Sequence, residues 1–400
     1  MNILCVFGQY AYGDSTRGEG YEYVNFIPAL RRLGHRVTLF DSLDRRVNPD
    51  FAALNRALLE RVEAIKPDVV FCVLMQYEIW VETLRLIRKS GAFLVNWATD
   101  DSWKYEMFSK LIAPEFDLYV TTYSSVLRRY QKDGIGNVVL SQWAANSDTL
   151  APPLPARECC YPVSFIGAAY GNRPDIIDSL SREGIDVACF GYGWPEGPID
   201  AKRIPEIVRM SAISLNFSEG SQKGLVEAGN RQIKARLFEV PGYGGCLLTE
   251  ETPDLEKYFR VGEEVLTFSD PDDLAATIKA LLVYPDRRNA IARRGFERVR
   301  VEHTYDQRFA QLLSEVAKQK ARPSFPVDWS EYGEVVKRHK YGPVLKFMRA
   351  VLAGCASMIW GGRRGPRAAR RLIFELSWRL AGARTYAAAG WPGRMFYKES

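Results

Sequence analysis

The stretch ILCVFG, residues 3–8, decides the fold class of this chain. Its five apolar residues end in a glycine, which is typical of a strand buried on both faces of a parallel sheet. Similar apolar runs follow in the first half, and amphipathic helical stretches separate them. They cover residues 37–40, 69–74, 93–97, 116–121 and 138–140. Strands that alternate with helices predict an α/β fold with a doubly wound parallel sheet.

A second series of strands and helices begins after residues 149–162, a proline-containing stretch that indicates an interdomain linker. Its apolar runs cover residues 163–166, 187–190, 213–217 and 246–249. We therefore predict two tandem Rossmann-like domains, residues 1–150 and 151–320. A basic, helical C-terminal tail, residues 321–400, is predicted to follow them.

Positive charge is concentrated at the C-terminus of the chain. The 400 residues carry a formal net charge of +6, but residues 335–400 hold fourteen Lys or Arg and two Glu, a net +12. By difference, residues 1–334 carry a net −6, which is ordinary for a globular protein. This distribution argues against nucleic acid as a partner and sets one basic segment apart.

The basic segment also has an apolar helical stripe that includes Val344, Met348 and Val351. Basic amphipathic helices are typical of elements that bind a membrane surface. The alternative is that these helices dock on the body of the protein or on a partner subunit. The longest uncharged apolar stretch there, residues 350–362, is expected to be too short to cross a bilayer.

Cysteine and histidine usage limits the chemistry of the chain. The seven cysteines are an odd number without a Cys-x-x-Cys pair, and several lie in apolar runs, where a free thiol behaves as a small hydrophobe. We expect a reduced, cytoplasmic protein, with the tail at the inner face of the cell membrane. The three histidines are far apart in sequence, so a structural zinc site is not expected.

Two carboxylates, Asp100 and Asp101, follow the predicted strand at residues 93–97. A carboxylate just beyond a strand end can serve as the general base that deprotonates an acceptor hydroxyl. The same spacing is consistent with an aspartate that caps a helix. Asp100 is the stronger functional candidate of the two.

The stretch RQIKARLFEVPGYGG, residues 231–245, is the most informative for chemistry. If the segment is helical, Arg231 and Lys234 share one face and Glu239 lies a further turn along. A basic cluster suits a diphosphate because guanidinium groups make charge-assisted, bidentate hydrogen bonds, and Glu239 suits a ribose diol. The alternative is a solvated helix with salt bridges such as Arg236 to Glu239.

Other candidate residues also follow predicted strands of the second half. Gly167 ends the strand at residues 163–166 and precedes a loop that leads to Arg173, and Glu219 follows the strand at residues 213–217. A glycine at such a point lets the backbone approach a ligand. The loop at residues 8–20 is not a Gly-x-Gly-x-x-Gly fingerprint, so a dinucleotide cofactor is weakly supported.

The run RLFEVPGYGGCLLTE, residues 236–250, resembles the C-terminal signature of GT-B glycosyltransferases, and the closest branch is the spore-maturation CgeB-like group. Further pieces match that group in order, and the resemblance spans residues 1–320. The pieces are residues 32–37, 100–101, 116–122, 165–167, 190–193, 214–217 and 303–305. The resemblance implies a GT-B fold with the acceptor in the first domain and the donor in the second.

The activity that this resemblance implies is transfer of a sugar from a nucleotide diphosphate to a hydroxyl of a glycan, a lipid-linked glycan or a protein. The implied donor-binding residues are Gly167, Arg173, Glu219, Arg231, Lys234, Arg236 and Glu239. Glu239 would bind the ribose, and Arg173 with Lys234 or Arg236 would neutralise the departing diphosphate, so no cofactor and no divalent metal is expected.

The resemblance assigns catalytic roles to three residues, and the sequence differs from the family at one position. Asp100, Arg173 and Arg236 are the expected catalytic residues, with Asp100 as the base if the reaction inverts. Position 231 is an arginine where the retaining GT-B family has the first of two glutamates. The competing hypotheses are a nucleotide-sugar epimerase of the same fold and a non-catalytic surface or spore-assembly protein that retains it.

Overall fold

The computed structural model describes residues 1–218, 231–319 and 322–400 of the chain. It divides into two compact units. Unit 1 consists of Met1–Ser141 and Leu313–Ser400, and unit 2 consists of Gln142–Leu312. The predicted boundaries lie at residues 150 and 320 instead, and the C-terminal segment is part of unit 1 rather than a region of its own. The cause is long-range packing, since the C-terminal helices bury side chains against the first half of the chain.

Unit 1 contains a parallel sheet with helices between successive strands. The strands are β1 (Asn2–Val6), β2 (Arg36–Phe40), β3 (Val69–Cys72), β4 (Phe93–Trp97), β5 (Leu118–Thr121) and β6 (Val138–Leu140). The helices of this half are α1 (Tyr21–Arg32), α2 (Phe51–Ile65), α3 (Val81–Lys89), α4 (Asp101–Lys104), α5 (Lys110–Ile112) and α6 (Ser124–Lys132). The strand order is β2-β1-β3-β4-β5-β6.

Local sequence explains these elements. The apolar run that predicted β1 lies inside the sheet, between β2 and β3, where Ile3 pairs with Val37 of β2 and Val69 of β3. Helix α2 begins where the carboxylate of Asp50 accepts a hydrogen bond from the backbone of Ala53. A central strand must be buried on both faces, which is why its sequence is continuously apolar.

Unit 2 repeats the architecture with a five-stranded parallel sheet. Its strands are β7 (Tyr161–Ile166), β8 (Ala188–Phe190), β9 (Ser211–Asn216), β10 (Leu247–Glu250) and β11 (Leu266–Phe268). Its helices are α7 (Arg173–Arg182), α8 (Ile204–Arg209), α9 (Arg236–Gly242), α10 (Pro271–Val283), α11 (Pro285–Glu302) and α12 (Tyr305–Ala317), the last of which continues into unit 1. The strand order is β11-β10-β9-β7-β8. The predicted α/β class with two Rossmann-like sheets is confirmed.

The C-terminal helices pack on unit 1. They are α13 (Trp329–His339), α14 (Pro343–Trp360), α15 (Gly365–Ala381) and α16 (Trp391–Met395). The hydroxyl of Tyr332 donates a hydrogen bond to the carbonyl of Ala52 at 2.6 Å, and the ring of His339 lies 4.7 Å from the ring of Trp80. These contacts tie α13 to the beginning of α2 and α3.

Helix α14 is longer than the uncharged stretch on which the sequence prediction depended, because it also includes Lys346 and Arg349. Within the part of the chain that the structure describes, it is the one helix long and apolar enough to cross a membrane by length and composition. The uncharged stretch at residues 350–362 is by itself shorter than a membrane span, but the helix that begins before it reaches that length.

Candidate functional site

Each sheet reverses its strand order at one point, between β1 and β3 in unit 1 and between β7 and β9 in unit 2. Ligands of open α/β sheets bind outside the carboxyl ends of the strands at such a switch point. In unit 2, Gly167 directly follows β7, and Phe217 and Ser218 follow β9. This end of the sheet, including the loops after β7, β9 and β10, is called the unit 2 edge.

Arg173, the first residue of α7, is held rigidly at the unit 2 edge. Its guanidinium donates hydrogen bonds to the carbonyl of Ala168 at 3.0 Å, the hydroxyl of Tyr170 at 2.7 Å and the carbonyl of Phe217 at 3.3 Å. The guanidinium carbon also lies 3.8 Å from the centroid of the Tyr170 ring and 5.4 Å from that of Phe165. Only 6% of Arg173 is exposed, so its charge occupies a defined position.

Lys234 contacts the same point of the backbone. Its ammonium group donates to the carbonyl of Phe217 at 3.2 Å, the oxygen that Arg173 also contacts. The fold therefore brings together two cations that are far apart in sequence, immediately beyond β9. Adjacent positive charges raise the local potential and favour a ligand with several negative charges, such as a diphosphate.

The prediction that Arg231 and Lys234 lie on one helix face is wrong, because α9 begins only at Arg236. Arg231 instead donates a hydrogen bond to the carbonyl of Glu251 at 3.1 Å, just beyond β10. Arg231 is held by the backbone just after β10, and Lys234 is held by the backbone just after β9. Their positions therefore depend on these two contacts and not on a helical spacing. Arg231 and Lys234 are thus both at the unit 2 edge, at neighbouring strands.

Arg236 and Glu239 form the ion pair that the sequence anticipated as an alternative to ligand binding. A guanidinium nitrogen lies 3.3 Å from a carboxylate oxygen, one turn along α9. The helix is not a solvated one, because Glu239 is only 7% exposed. Burial raises the pKa of Tyr243, one turn further along, and the negative charge of Glu239 adds to that shift. Glu239 is therefore a buried carboxylate at the start of a helix that follows the switch-point strand.

Gly167 lies where two backbone segments meet too closely for a side chain. Gly191, with φ of +138°, approaches so near that a Cβ atom there would lie 2.4 Å from the carbonyl oxygen of Gly167. The same carbonyl accepts a hydrogen bond from the indole of Trp194 at 2.7 Å. Both contacts fix the loop after β7, and a glycine is required at position 191.

Glu250 is a residue of this edge that the sequence analysis did not single out. It is buried at the end of β10, and its carboxylate accepts a hydrogen bond from the backbone of Ser218 at 2.5 Å. Asn216 in β9 also donates to the hydroxyl of Thr249 in β10 at 2.9 Å. Glu250 thus holds the loop after β9 beside β10. The signal that would have found it is a carboxylate at the end of a buried strand.

The corresponding edge of unit 1 carries acidic side chains. Asp100 follows β4, is partly exposed and forms an ion pair with Lys104 at 3.1 Å. Asp101 is buried and accepts a hydrogen bond from the hydroxyl of Tyr130 at 3.1 Å, and burial raises the pKa of Asp101 to about 7. Burial likewise raises the pKa of Glu22, and the charge of Asp100 adds to that shift. This end of the sheet, with the starts of α1 and α4, is called the unit 1 edge.

The structure thus separates the candidate residues into two groups. Gly167, Arg173, Arg231, Lys234, Arg236 and Glu239 lie in unit 2, and Asp100 lies in unit 1. Asp100 does occupy the N-cap position of α4, as the alternative proposed, but its side chain makes no capping hydrogen bond there. Glu219 lies outside the described residues. Among residues 1–218, 231–319 and 322–400, no group of three or more His, Cys, Asp or Glu side chains is arranged to hold a metal ion.

Comparison with protein-family models gives one match. Residues 173–314, which begin at Arg173 and include the other described cations of the unit 2 edge, match the model of a family described as glycosyl transferase-like. No curated protein matches the sequence of this chain significantly.

Solved structures similar to this chain cover both units. Sucrose-phosphate synthase from Thermosynechococcus elongatus aligns with a TM-score of 0.54 and 12% identity over 79% of this chain and 99% of its own. HepE from Anabaena, solved with UDP and glucose, has a TM-score of 0.52 and 11% identity over 80% of this chain and 100% of its own. The lipopolysaccharide outer core galactosyltransferase WaaB has a TM-score of 0.51 and 13% identity over 79% and 99%. These likenesses confirm the GT-B fold predicted from the sequence.

Proposed function

We propose that this chain is a glycosyltransferase that uses a nucleotide-diphosphate sugar as donor and belongs to the CgeB-like branch. The observation that carries the proposal is the convergence of Arg173 and Lys234 on the carbonyl of Phe217 at the switch point of unit 2. A fixed pair of cations at this position suits a diphosphate. The family match over residues 173–314 and the UDP and UDP-glucose complexes of HepE support the same class of donor.

In the proposed reaction, the bond between the sugar anomeric carbon and the diphosphate oxygen breaks, and a bond from that carbon to the acceptor hydroxyl oxygen forms. The electron pair of the broken bond remains on the diphosphate, and the proton of the hydroxyl leaves to a base. Arg173, Lys234 and Arg236 stabilise the charge that develops on the diphosphate. In other enzymes a divalent metal stabilises the charge on the departing diphosphate. Fixed cations can stabilise the same charge, so we propose that transfer is metal-independent.

Glu239 and Asp100 have distinct proposed roles. Glu239, buried and paired with Arg236, accepts hydrogen bonds from the ribose hydroxyls. Asp100, partly exposed after β4, takes the acceptor proton if the reaction inverts. We propose that the acceptor is a hydroxyl of a glycan, a lipid-linked glycan or a protein.

The decisive experiment is a donor screen of the full chain with UDP-, GDP-, TDP- and CMP-sugars. Thermal stability is measured with each nucleotide, and release of nucleotide is measured with and without added glycan acceptors, in the presence of EDTA. We expect one nucleotide class to stabilise the chain, because a ligand at a hundred times its Kd adds about 2.7 kcal/mol to the unfolding free energy. We also expect turnover to persist in EDTA.

Product analysis separates the alternatives. An isomerised nucleotide sugar formed without any acceptor would identify an epimerase and contradict the proposal. Failure of every nucleotide to stabilise the folded chain would favour a non-catalytic protein with this fold. The variant Glu239→Gln should keep the fold and lose nucleotide binding, with Glu256→Gln on an exposed surface of the same unit as the matched control.

A further inference from the structure

Helix α14 presents an outer face that is apolar and exposed. The side chains on this face are Val344, Phe347, Met348, Val351, Met358 and Ile359. Their spacing of three and four residues places them on one side of the helix. Exposure reaches 71% for Phe347, 81% for Met358 and 70% for Ile359. A contiguous apolar face of this kind marks an interaction site on a soluble protein surface.

The opposite face of α14 is already occupied by α15 and by the last residues of the chain. Ala356 is buried in a small core with Ala369 and Ile373 of α15 and with Phe396. Arg349 donates a hydrogen bond to the carbonyl of Met395 at 2.6 Å and forms an ion pair with Glu399. Helix α15 in turn packs on the first half of the chain through Phe374, whose ring lies 5.9 Å from that of Tyr77, so the hairpin of α14 and α15 docks on the body of the protein through α15. Docking does not account for the outer face.

Basic residues follow α14 in the chain, beyond the end that carries Met358 and Ile359. Arg363 and Arg364 lie in the link between α14 and α15, and Arg367 and Arg371 lie on α15; all four are exposed. The segment Pro343–Trp360 contains no aspartate or glutamate. On α15, Leu372, Leu376 and Leu380 add exposed apolar surface. The four arginines are called the arginine border. An apolar helix face together with such a cluster of guanidinium groups is complementary to acyl chains beneath anionic headgroups.

We propose that the outer face of α14 and this arginine border form a docking surface for an anionic phospholipid bilayer. The helix lies in the plane of the interface, with Phe347, Met358 and Ile359 in the acyl region and the arginines at the headgroups. It does not span the bilayer, because its inner face is packed against α15 and the last residues of the chain and carries Arg349 in an ion pair. This inference is independent of the proposed function.

The test is flotation of the full chain with vesicles. The probes are phosphatidylcholine vesicles with 30% phosphatidylserine and vesicles of phosphatidylcholine alone. We expect binding to the anionic vesicles only, and release in 0.5 M salt, since screening removes the electrostatic part of the attraction. Equal binding to both vesicle types, or resistance to salt and to alkaline carbonate, would overturn the interfacial proposal.

Two variants separate the apolar and basic parts of the surface. The triple change Phe347→Gln, Met358→Gln and Ile359→Gln should abolish flotation without lowering the unfolding temperature, because all three side chains are exposed. The triple change Arg363→Gln, Arg364→Gln and Arg367→Gln should weaken binding on the order of 100-fold, at about 1 kcal/mol for each arginine.

Matched controls come from exposed residues of unit 2. They are the apolar triple Leu282→Gln, Val283→Gln and Tyr284→Gln and the basic triple Arg287→Gln, Arg293→Gln and Arg294→Gln. Both should bind vesicles as the unaltered chain does. If the controls weaken binding as much as the α14 and arginine variants, or if those variants instead dissociate a dimer with no change in flotation, the bilayer is not the occupant of this face.

Discussion

The carboxyl edges of the two sheets arise from the same topology but place different side chains just beyond their strands. Glu22, Asp100 and Asp101 lie at the unit 1 edge, whereas Arg173 and Lys234 lie at the unit 2 edge. The topology supplies a switch point in each unit, and the side chains that follow the strands decide its chemistry. Acidic groups suit proton transfer from a hydroxyl, and fixed cations suit a diphosphate.

The largest expected effect tests the basic edge. Lys234→Gln should lower kcat with the nucleotide-sugar donor about 100-fold, because a cation that stabilises the charge developing on the diphosphate is lost. Steady-state kinetics measure the effect, and Arg182→Gln at the exposed end of α7 is the matched control. If kcat of Lys234→Gln falls by less than threefold, the proposal that the diphosphate binds at this edge is contradicted.

The next effect concerns the acidic edge and depends on pH. Burial raises the pKa of Asp101 to about 7 from its ordinary 3.8, so the folded state holds this proton more tightly than the unfolded state. The stability that this proton contributes is full below pH 4 and is lost as the pH rises to 7. We expect the difference in unfolding free energy between the unaltered chain and Asp101→Asn to fall by about 3 kcal/mol from pH 4 to pH 8.

Urea unfolding at several pH values measures that slope, and Asp178→Asn, an exposed aspartate of unit 2, is the control that should leave it unchanged. A parallel pH profile for Asp101→Asn and the unaltered chain would show that Asp101 is ionised in the folded state. The unit 1 edge would then not hold a buried, protonated acid, and it would not differ in this respect from the unit 2 edge.

A smaller effect tests how closely the loops of the unit 2 edge approach each other. Gly191→Ala should lower the unfolding free energy by about 2 kcal/mol, because the new Cβ atom meets the carbonyl of Gly167 in a backbone conformation that alanine rarely adopts. Gly197→Ala is the control, since it also has positive φ but open space around it. Equal losses in the two variants would attribute the effect to φ alone.

The smallest effect concerns Arg231. Its hydrogen bond to the carbonyl of Glu251 is exposed, so Arg231→Gln should cost less than about 1 kcal/mol of stability. We expect KM for the donor to rise about threefold with kcat unchanged, because a single polar contact made equally in the ground and transition states is lost. A large fall in kcat would instead give Arg231 a role in the transition state.

Strand and helix positions were largely predictable, since they depend on local patterns. Residues 93–97 and 138–140 predicted the bounds of β4 and β6 correctly, because continuous apolar runs mark them in the sequence. The sequence analysis missed α8 and β11. Both are short, six and three residues, so neither develops a clear periodicity.

The candidate site was predictable in composition but not in arrangement. Proximity to a strand end identified Arg173 and a basic cluster identified Lys234, yet their common contact with Phe217 depends on the parallel pairing of β7 and β9. The same kind of long-range pairing decides that Glu250 holds the loop at Ser218. No local pattern encodes which strands become neighbours.

Alternating apolar strands and amphipathic helices determined the α/β class by themselves, because burial on both faces of a parallel sheet requires that pattern. The charge of residues 335–400 was likewise evident from composition. Only the tertiary structure decided that Asp101 is buried, that Arg173 and Lys234 meet, and that α14 packs on one face and exposes the other. Each of these depends on contacts between residues distant in the chain, which sequence periodicity does not specify.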